Sequence, residues 1–194
     1  QPSERLRIGV FEGIIWQAKD ENYNRGYDLH YLNPIIFYRP VEFSKHSPDN
    51  ALMGLDLSYT LKKSTAYCQF LLDDINLDRH DNTTNGFFQN KYAVQVGIKT
   101  YFEIDNHNIK ILVEYNKAQP YTYAHKHPLQ NYTHMNQSLA HPLGANFKEK
   151  VLIINHKYEK WGTKIKYTNA VYGADTSNTH YGQNIFISDF LAQG

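Results

Sequence analysis

The sequence predicts an all-β fold, a transmembrane antiparallel β-barrel with long loops at one end. Apolar and polar residues alternate in blocks whose length is close to the roughly 9–11 residues that a membrane-spanning strand needs. The connections between these blocks alternate between short and long. A period of two turns successive side chains to opposite faces of a strand, so each block can present one apolar face to lipid and one charged face to a wet interior.

The composition fits one domain that covers residues 1–194 and crosses a membrane with strands. The chain has 194 residues, a formal charge of +1 and a mean hydropathy of −0.61. No apolar run approaches the roughly 20 residues that a spanning helix needs. The balanced charge argues against a nucleic-acid binder, which would show a basic stripe. The 16 tyrosines and 10 phenylalanines suit aromatic girdles, a sugar-binding surface or an ordinary β core.

Eight blocks carry the strand pattern. In the first, Glu12 interrupts the apolar face, whereas in the fourth Val94, Val96 and Ile98 alternate cleanly with polar neighbours. In chain order the predicted strands are Leu6–Trp16, Ala51–Lys62, Thr65–Leu77, Lys91–Glu103, Asn108–Lys117, Val151–Lys160, Thr163–Gly173 and Asn184–Leu191. No block has the period of an amphipathic helix.

The connections indicate which end of the barrel faces outward. The tight ones are Lys62–Thr65, Ile104–Asn108 and Lys160–Thr163, and the long ones are Asp78–Asn90, Gln119–Lys150 and Ala174–Gln183. Outer-membrane barrels have short periplasmic turns and long extracellular loops, so we expect Gln17–Asn50 to be an outside loop as well. Its segment Leu32–Phe43 contains two prolines and is expected to enter the lumen or cap it. A soluble β-sandwich or a lipocalin-like barrel also alternates and remains the alternative.

Four segments carry a family resemblance. They are Tyr31–Phe43, Tyr67–Asp74, Glu114–Asn116 with Tyr121–His125, and Asn131–Phe147. The run His141-Pro142-Leu143-Gly144-Ala145-Asn146 is the most specific part. Together these segments resemble the Wzi-like capsule-assembly family of outer-membrane proteins, particularly its branch linked to gliding motility.

The resemblance implies a non-enzymatic barrel of the bacterial outer membrane, or a sector of a larger barrel in a longer chain, without a cofactor. Its expected partners are surface polysaccharide, which it would hold at the cell surface, and outer-membrane lipid. The resemblance also implies an alternative role, as an accessory barrel subunit of an outer-membrane protein-export or gliding-motility complex.

The loop 119–150 is the first candidate for function, because about thirty residues without strand pattern are unusual in a compact domain. It combines aromatic rings, which stack on sugars, with amides that both donate and accept hydrogen bonds. The candidate residues are Tyr121, Tyr123, His125, Asn131, Tyr132, His134, Asn136, Gln137, His141 and Asn146. The alternative is a plug segment whose side chains bond to one another.

The charged residues predict no catalytic or metal site. The histidines of the loop match no known zinc spacing and have no partner cysteine. Asp73 and Asp74 would point to opposite faces of a strand, so they cannot form a facing acid–base pair. With Asp78 and Asp81 they are expected to form a solvated rim, with weak calcium binding as the second possibility.

Four further charges are expected in the interior of the barrel or in its cap, where charges pair with one another or with water. They are Arg39, Glu42, Lys99 and Glu114.

Overall fold

The computed structural model of the chain describes residues 4–19, 24, 26, 29–32, 49–74, 90–175 and 180–189. These residues form seven long strands and one short hairpin. The strands are β1 (Leu6–Ile15), β2 (Asn50–Leu61), β3 (Ser64–Asp74), β4 (Lys91–Ile104), β5 (His107–Ala118), β6 (Thr133–His134), β7 (Gln137–Ser138), β8 (Phe147–Tyr158) and β9 (Trp161–Tyr172). Two short 3-10 turns cover Leu29–Leu32 and Pro128–Gln130.

The long strands form one antiparallel sheet of seven strands in the order β1-β2-β3-β4-β5-β8-β9. Each therefore pairs with its neighbours along the chain, except that the segment between β5 and β8 contains the separate hairpin β6–β7. No pairing joins β1 to β9 among the described residues. The predicted all-β antiparallel class is confirmed, and the sheet is open over the part of the chain that is described.

Three tight turns connect the strands at one end of the sheet. Lys62, Asp105 and Glu159 each take a positive φ of 48–52° at the first turn position. Because positive φ matches the twist of paired antiparallel strands, these turns need only two residues between the strands that they join. At the other end the strands run into long connections, as predicted.

One face of the sheet carries apolar residues on all seven strands, with Glu12 of β1 and, near the long connections, Lys117, Lys148 and Lys150 among them. Residues paired directly across antiparallel strands share a face, and the register aligns Val10, Leu55, Phe70 and Val94 in one such row. We call this surface the apolar face. Its exposed members are Ile8, Val10, Leu55, Tyr59, Leu61, Phe70, Val96, Ile98, Phe102, Ile104, Val113, Tyr158, Trp161, Ile165, Tyr167 and Val171.

The opposite face, which we call the mixed face, carries charged residues, amides and small apolar residues. Two of its aromatic rings lie over glycines paired directly across the strands, Phe11 over Gly54 and Tyr67 over Gly97. A Cβ on Gly97 would lie 2.4 Å from the Tyr67 ring, so glycine provides the space that the ring occupies. The predicted alternation of the two faces is confirmed on β4, whereas on β8 the consecutive residues Val151–Ile154 are apolar on both faces.

Two predicted features differ from the structure. Residues 184–189 form turns rather than the strand predicted over Asn184–Leu191, because Ile185 is buried against the segment that follows β5. The strand predicted from Val151 begins four positions earlier, at Phe147. The predicted cap segment Leu32–Phe43 lies, apart from Leu32, outside the described residues.

The described helical segments include none that is long and apolar enough to cross a membrane.

Candidate functional site

Residues 119–146 and 180–189 fold together at the long-loop end of the sheet, and we call this unit the cap. Its two segments are joined by hydrogen bonds from side chains to backbone carbonyl oxygens. The Asn131 amide donates to the Ile185 carbonyl at 2.7 Å, and the Tyr121 hydroxyl donates to the His180 carbonyl at 2.7 Å. Asn131 is fully buried. The long loop is therefore a packed unit rather than an open connection.

The cap is anchored to the ends of three strands. The Asp73 carboxylate of β3 accepts a hydrogen bond from the Tyr123 backbone N–H at 2.6 Å. The Asn50 side chain of β2 donates to the Gln130 carbonyl at 2.9 Å. Lys91 of β4 donates to the Ala124 carbonyl at 2.9 Å. Because these hydrogen bonds are buried or partly buried, they fix the position of the cap relative to the strand ends.

The backbone of the cap explains its sharp bends. Tyr121 and Tyr123 both take positive φ, at 62° and 75°, and both side chains are buried. In the β6–β7 hairpin, both turn residues, Met135 and Asn136, have positive φ. That is the conformation of a two-residue hairpin turn, in which asparagine is favoured. This hairpin points its polar residues to solvent.

A cavity of about 400 Å³ lies between the cap and the mixed face. Its lining combines aromatic rings with amides. It is lined by Phe11, Gln69, Leu71, Ala93, Val94, Gln95, Asn116, Lys117, Tyr123, Tyr132, Leu139, Ala140, His141 and Phe147. No aspartate or glutamate lines it within the described ranges. Aromatic faces beside hydrogen-bonding amides are the groups with which proteins hold sugar rings.

A hydrogen-bond network on the mixed face holds the floor of this cavity. Asn116 donates to Glu114 at 2.9 Å and to Glu149 at 3.0 Å, and it accepts from Gln95 at 3.1 Å. The Tyr67 hydroxyl donates to Glu114 on the other side. The carboxylates of Glu114 and Glu149 both accept hydrogen bonds from neighbouring side chains. The network therefore fixes the orientation of the amides in the floor of the cavity.

Aromatic contacts form the wall of the cavity. Tyr123 and Tyr132 stack with ring centroids 5.9 Å apart. His141 stacks on Phe147 at 4.5 Å, and its Nε2 lies 3.2 Å from the Glu149 carboxylate. The wall of the cap is therefore connected to the polar network of the sheet through His141.

Burial changes the proton affinity of two cap residues. Burial of Tyr123, together with the nearby Asp73 carboxylate, raises the pKa of its phenol, so the hydroxyl stays protonated. Burial of His125, together with the positive charge of Lys91, lowers the pKa of its imidazole to about 4. The His125 ring is consequently neutral near pH 7.

The ten residues predicted from the loop separate into three groups. Tyr123, Tyr132 and His141 meet at the cavity. A second group has its side chain or backbone bonded within the cap and includes Tyr121, His125, Asn131 and Asn146. The last group, His134, Asn136 and Gln137, is exposed on the β6–β7 hairpin.

Two of the four charged residues predicted in the barrel interior or its cap lie within the described residues. Lys99 lies over the Tyr67 ring at 6.0 Å on the mixed face, and Glu114 belongs to the network. Arg39 and Glu42 lie outside the described residues, as do Asp78 and Asp81.

The histidines of the cap stay apart from one another. Among the described residues, no three histidine, cysteine, aspartate or glutamate side chains lie close enough to hold a metal ion.

Four residues of the site were not singled out from the sequence, namely Gln69, Gln95, Asn116 and Glu149. All lie on the mixed-face parity of central strands, close to their long-loop ends. The sequence shows that these positions are polar and share one face of their strands. Only the strand register shows that they lie side by side under the cap.

The comparisons with known proteins gave one match. The family described as capsule assembly protein Wzi matches residues 1–182 of the chain. Neither the comparison with curated proteins nor that with solved structures gave a match.

Proposed function

Because the chain belongs to the family of the capsule assembly protein Wzi, we propose that it forms an outer-membrane β-barrel wall that binds and retains surface polysaccharide. The match covers 182 of the 194 residues and carries the assignment to the family. The cavity under the cap is the observation that carries the binding role.

The apolar face supports the placement in a membrane. Most of its aromatic residues lie toward the ends of the strands, with aliphatic residues such as Ile98, Val113 and Ile154 between them, and Tyr167 is an aromatic residue in the row of Ile98 and Val113. Near the tight turns lie Tyr59, Phe102, Tyr158 and Trp161, and near the long connections lie Phe70, Tyr92 and Tyr115. Two aromatic girdles around an aliphatic band are typical of barrels that span an outer membrane.

The cavity supports the binding of sugar. Its lining includes three amide side chains, Gln69, Gln95 and Asn116, together with the stacked rings of Tyr123 and Tyr132. Because amides both donate and accept, they match the hydroxyl groups of a sugar without requiring a charge. The cap closes the cavity from the long-loop side, which on the proposed orientation is the cell exterior.

We further propose that the protein acts without catalysis. Hydrolysis of a glycosidic bond normally requires two carboxyl groups that flank the bond. The cavity lining includes no carboxylate in the described part of the chain, and Glu114 and Glu149 accept hydrogen bonds outside it. This arrangement favours holding a glycan over cleaving one.

The experiment is a calorimetric titration of the protein, in lipid nanodiscs, with the surface polysaccharide purified from cells that produce it. The test variant is Gln69→Leu with Gln95→Leu, which removes two amides from the floor of the cavity. Since each lost hydrogen bond is worth about 1 kcal/mol, the loss of both amides is worth about 2 kcal/mol, and we expect affinity to fall by about thirtyfold.

The matched control is Asn136→Ala with Gln137→Ala, which removes two amides from the exposed hairpin. We expect it to bind within about twofold of the unaltered protein, well below the tenfold that 1.4 kcal/mol represents. Loss of binding in the hairpin variant alone would place the site on the hairpin. Absence of binding by the unaltered protein, with unchanged capsule retention in cells lacking it, would contradict the proposed function.

The second role predicted from the sequence, as an accessory subunit of an export or gliding complex, stays a prediction. The family match does not name such a complex, and no contact of the described residues points to one.

A further inference from the structure

The mixed face changes its charge along the strands. On β5, Glu114 lies toward the cap and Lys110 toward the tight turns. On β8, Glu149 lies toward the cap and Lys157 toward the tight turns. The apolar pair Leu112 and Ile153 lies between the two zones. On these two strands acidic and basic residues are therefore separated along the strand axis, whereas on β4 the acidic Glu103 lies near the tight turns and pairs with Lys63.

The basic zone is recessed. One recess of about 1060 Å³ is lined by Tyr101, Asn108, Lys110, Asn155, His156, Lys157, Lys160, Trp161, Gly162, Thr163 and Lys164. A second recess, of about 360 Å³, adds Lys63 and Lys99 and shares Tyr101, Lys110 and Asn155 with the first. We call the joined recesses the lysine groove. No carboxylate lines either recess in the portion of the chain that is described.

Among the described residues, carboxylates neutralise few of the groove's lysines. Lys63 lies 3.8 Å from Glu103, and both side chains of that pair are more than half exposed. By contrast, no ion pair is made by Lys110, Lys157, Lys160 or Lys164 within the described residues. Like charges that converge on one recess repel each other and raise the local positive potential. A bound anion would relieve that repulsion.

We propose that the lysine groove binds the anionic groups of a polysaccharide, namely uronate carboxylates or sugar phosphates. The proposal rests on the proposed function, because it names the class of glycan that the same protein would take. Asn108 and Asn155 supply amides beside the lysines, and Tyr101, which lines both recesses, supplies an aromatic ring on the mixed face. The groove thus combines groups for sugar hydroxyls and sugar faces with charges for the anions.

The groove and the cap cavity differ in the sugars that they fit. The cavity has one lysine in its lining and relies on amides, whereas the groove has six lysines. The two sites lie at opposite ends of the mixed face. An acidic polysaccharide would therefore contact uncharged amides under the cap and lysine side chains near the tight turns.

The experiment compares two polymers of equal length, a polygalacturonate oligomer and the same oligomer with its carboxyl groups reduced to alcohols. Binding to the protein in nanodiscs of zwitterionic lipid is measured at about 0.05 M and about 0.5 M salt, because salt screens exposed charges. The test variant is K110Q/K157Q/K164Q, and K110R/K157R/K164R is its conservative partner. The matched control, K62Q/K148Q/K150Q, removes three lysines outside the groove lining.

We expect the unaltered protein to prefer the acidic oligomer by about tenfold or more at low salt, with the preference shrinking at high salt. The glutamine variant loses the preference, while the arginine variant and the control keep it. Equal binding of both oligomers, or the same loss in the control, would overturn the inference and leave the proposed function standing. Binding of neither oligomer, nor of the purified surface polysaccharide, would overturn both.

A further arm distinguishes the glycan from lipid phosphate. Vesicles of phosphatidylglycerol are added as competitors of the acidic oligomer. We expect them to compete weakly, because Lys110, Lys157 and Lys164 lie on the mixed face, opposite the apolar residues. Competition as strong as that of free oligomer would overturn the assignment to polysaccharide.

Discussion

Lys91 forms a buried ion pair with Asp189, with 2.5 Å between Nζ and the carboxylate oxygen Oδ2. Lys91 is the first residue of β4, and Asp189 lies in the last described segment of the cap, 98 positions later. The same ammonium donates to the Ala124 carbonyl at 2.9 Å. One lysine therefore joins the sheet to both segments of the cap.

Removing Lys91 should destabilise the cap. Lys91→Met leaves the Asp189 carboxylate without its partner, and breaking a buried pair costs about 3–5 kcal/mol. The double variant Lys91→Met with Asp189→Asn should recover part of this loss, since no unpaired charge remains. Hydrogen exchange of the cap amides in detergent micelles measures the change in opening free energy.

The exposed pair Lys63–Glu103 is the matched control, because its side chains are 58% and 54% exposed and lie 3.8 Å apart. Lys63→Met should cost about 1 kcal/mol or less. Equal losses from the two single variants would contradict the anchoring role of Lys91.

The cap should lose stability on acidification through His125. The folded pKa is about 4 and the ordinary value is 6.5, so the ring is neutral in the folded protein. Lys91, Lys126 and His127 oppose its protonation, and Asp189 favours it. Below pH 6.5 the unfolded state takes up the proton first, so stability is complete above pH 6.5 and falls as the pH drops toward 4.

His125→Phe removes the titration while keeping an aromatic ring. The pH profile of cap unfolding should then be flatter between pH 6.5 and 4 than in the unaltered protein, by about 3 kcal/mol at the acid end. His134→Phe, on the exposed hairpin, should leave the profile unchanged. An identical slope in the His125 variant would show that another group controls the acid response.

A side chain at Gly97 should disrupt the polar network. Its Cβ would meet the Tyr67 ring at 2.4 Å, so Gly97→Val displaces the ring whose hydroxyl donates to Glu114. Overpacking of this kind costs about 1–3 kcal/mol. Gly162→Val is the control, since nothing lies within 4 Å of a Cβ there. Urea unfolding of the two variants should differ, and equal midpoints would refute the packing of Tyr67 on Gly97.

A charge on the apolar face should impair insertion. Val113 is 48% exposed on that face, and an arginine at the midplane of a bilayer costs about 2–4 kcal/mol. Thr168→Arg places the same side chain on the mixed face of β9 and should be tolerated. The yield of folded protein in phospholipid vesicles measures both. Equal yields would argue that the two faces contact the same solvent.

The strands could be predicted from the sequence because their signal is local. The alternation of Val94, Val96 and Ile98 with Gln95 and Lys99 depends only on which face of one strand each side chain occupies, and the structure confirms it. The tight turns follow from the short gaps between such blocks.

The cap could not be predicted in the same way. Ile185 lies in a block that alternates like a strand, yet it is buried by residues far earlier in the chain, including Ala145, which is 40 positions before it. Tyr121 and Tyr123 reach the interior through positive φ, which these residue types do not signal.

The candidate site could not be predicted from the sequence either, because it depends on how neighbouring strands are aligned. Gln95 and Asn116 look like ordinary polar positions, and only the pairing of β4 with β5 brings them together. The lysine groove also becomes visible only when the strands are aligned.

The most direct test of the account asks which solvent touches each face of β3. Cys68 lies on the apolar face, paired with Leu57 and Val96, whereas Gln69 lines the cavity on the mixed face. A nitroxide is attached to Cys68, or to Gln69→Cys in a Cys68→Ser background, with the protein in phospholipid vesicles. Collisions with oxygen, which concentrates in lipid, and with a water-soluble nickel chelate are then measured.

The account predicts that the label at position 68 collides mainly with oxygen and the label at position 69 mainly with the chelate. Greater exposure of position 68 to the chelate than to oxygen would contradict it, because the apolar face would then not lie in the membrane.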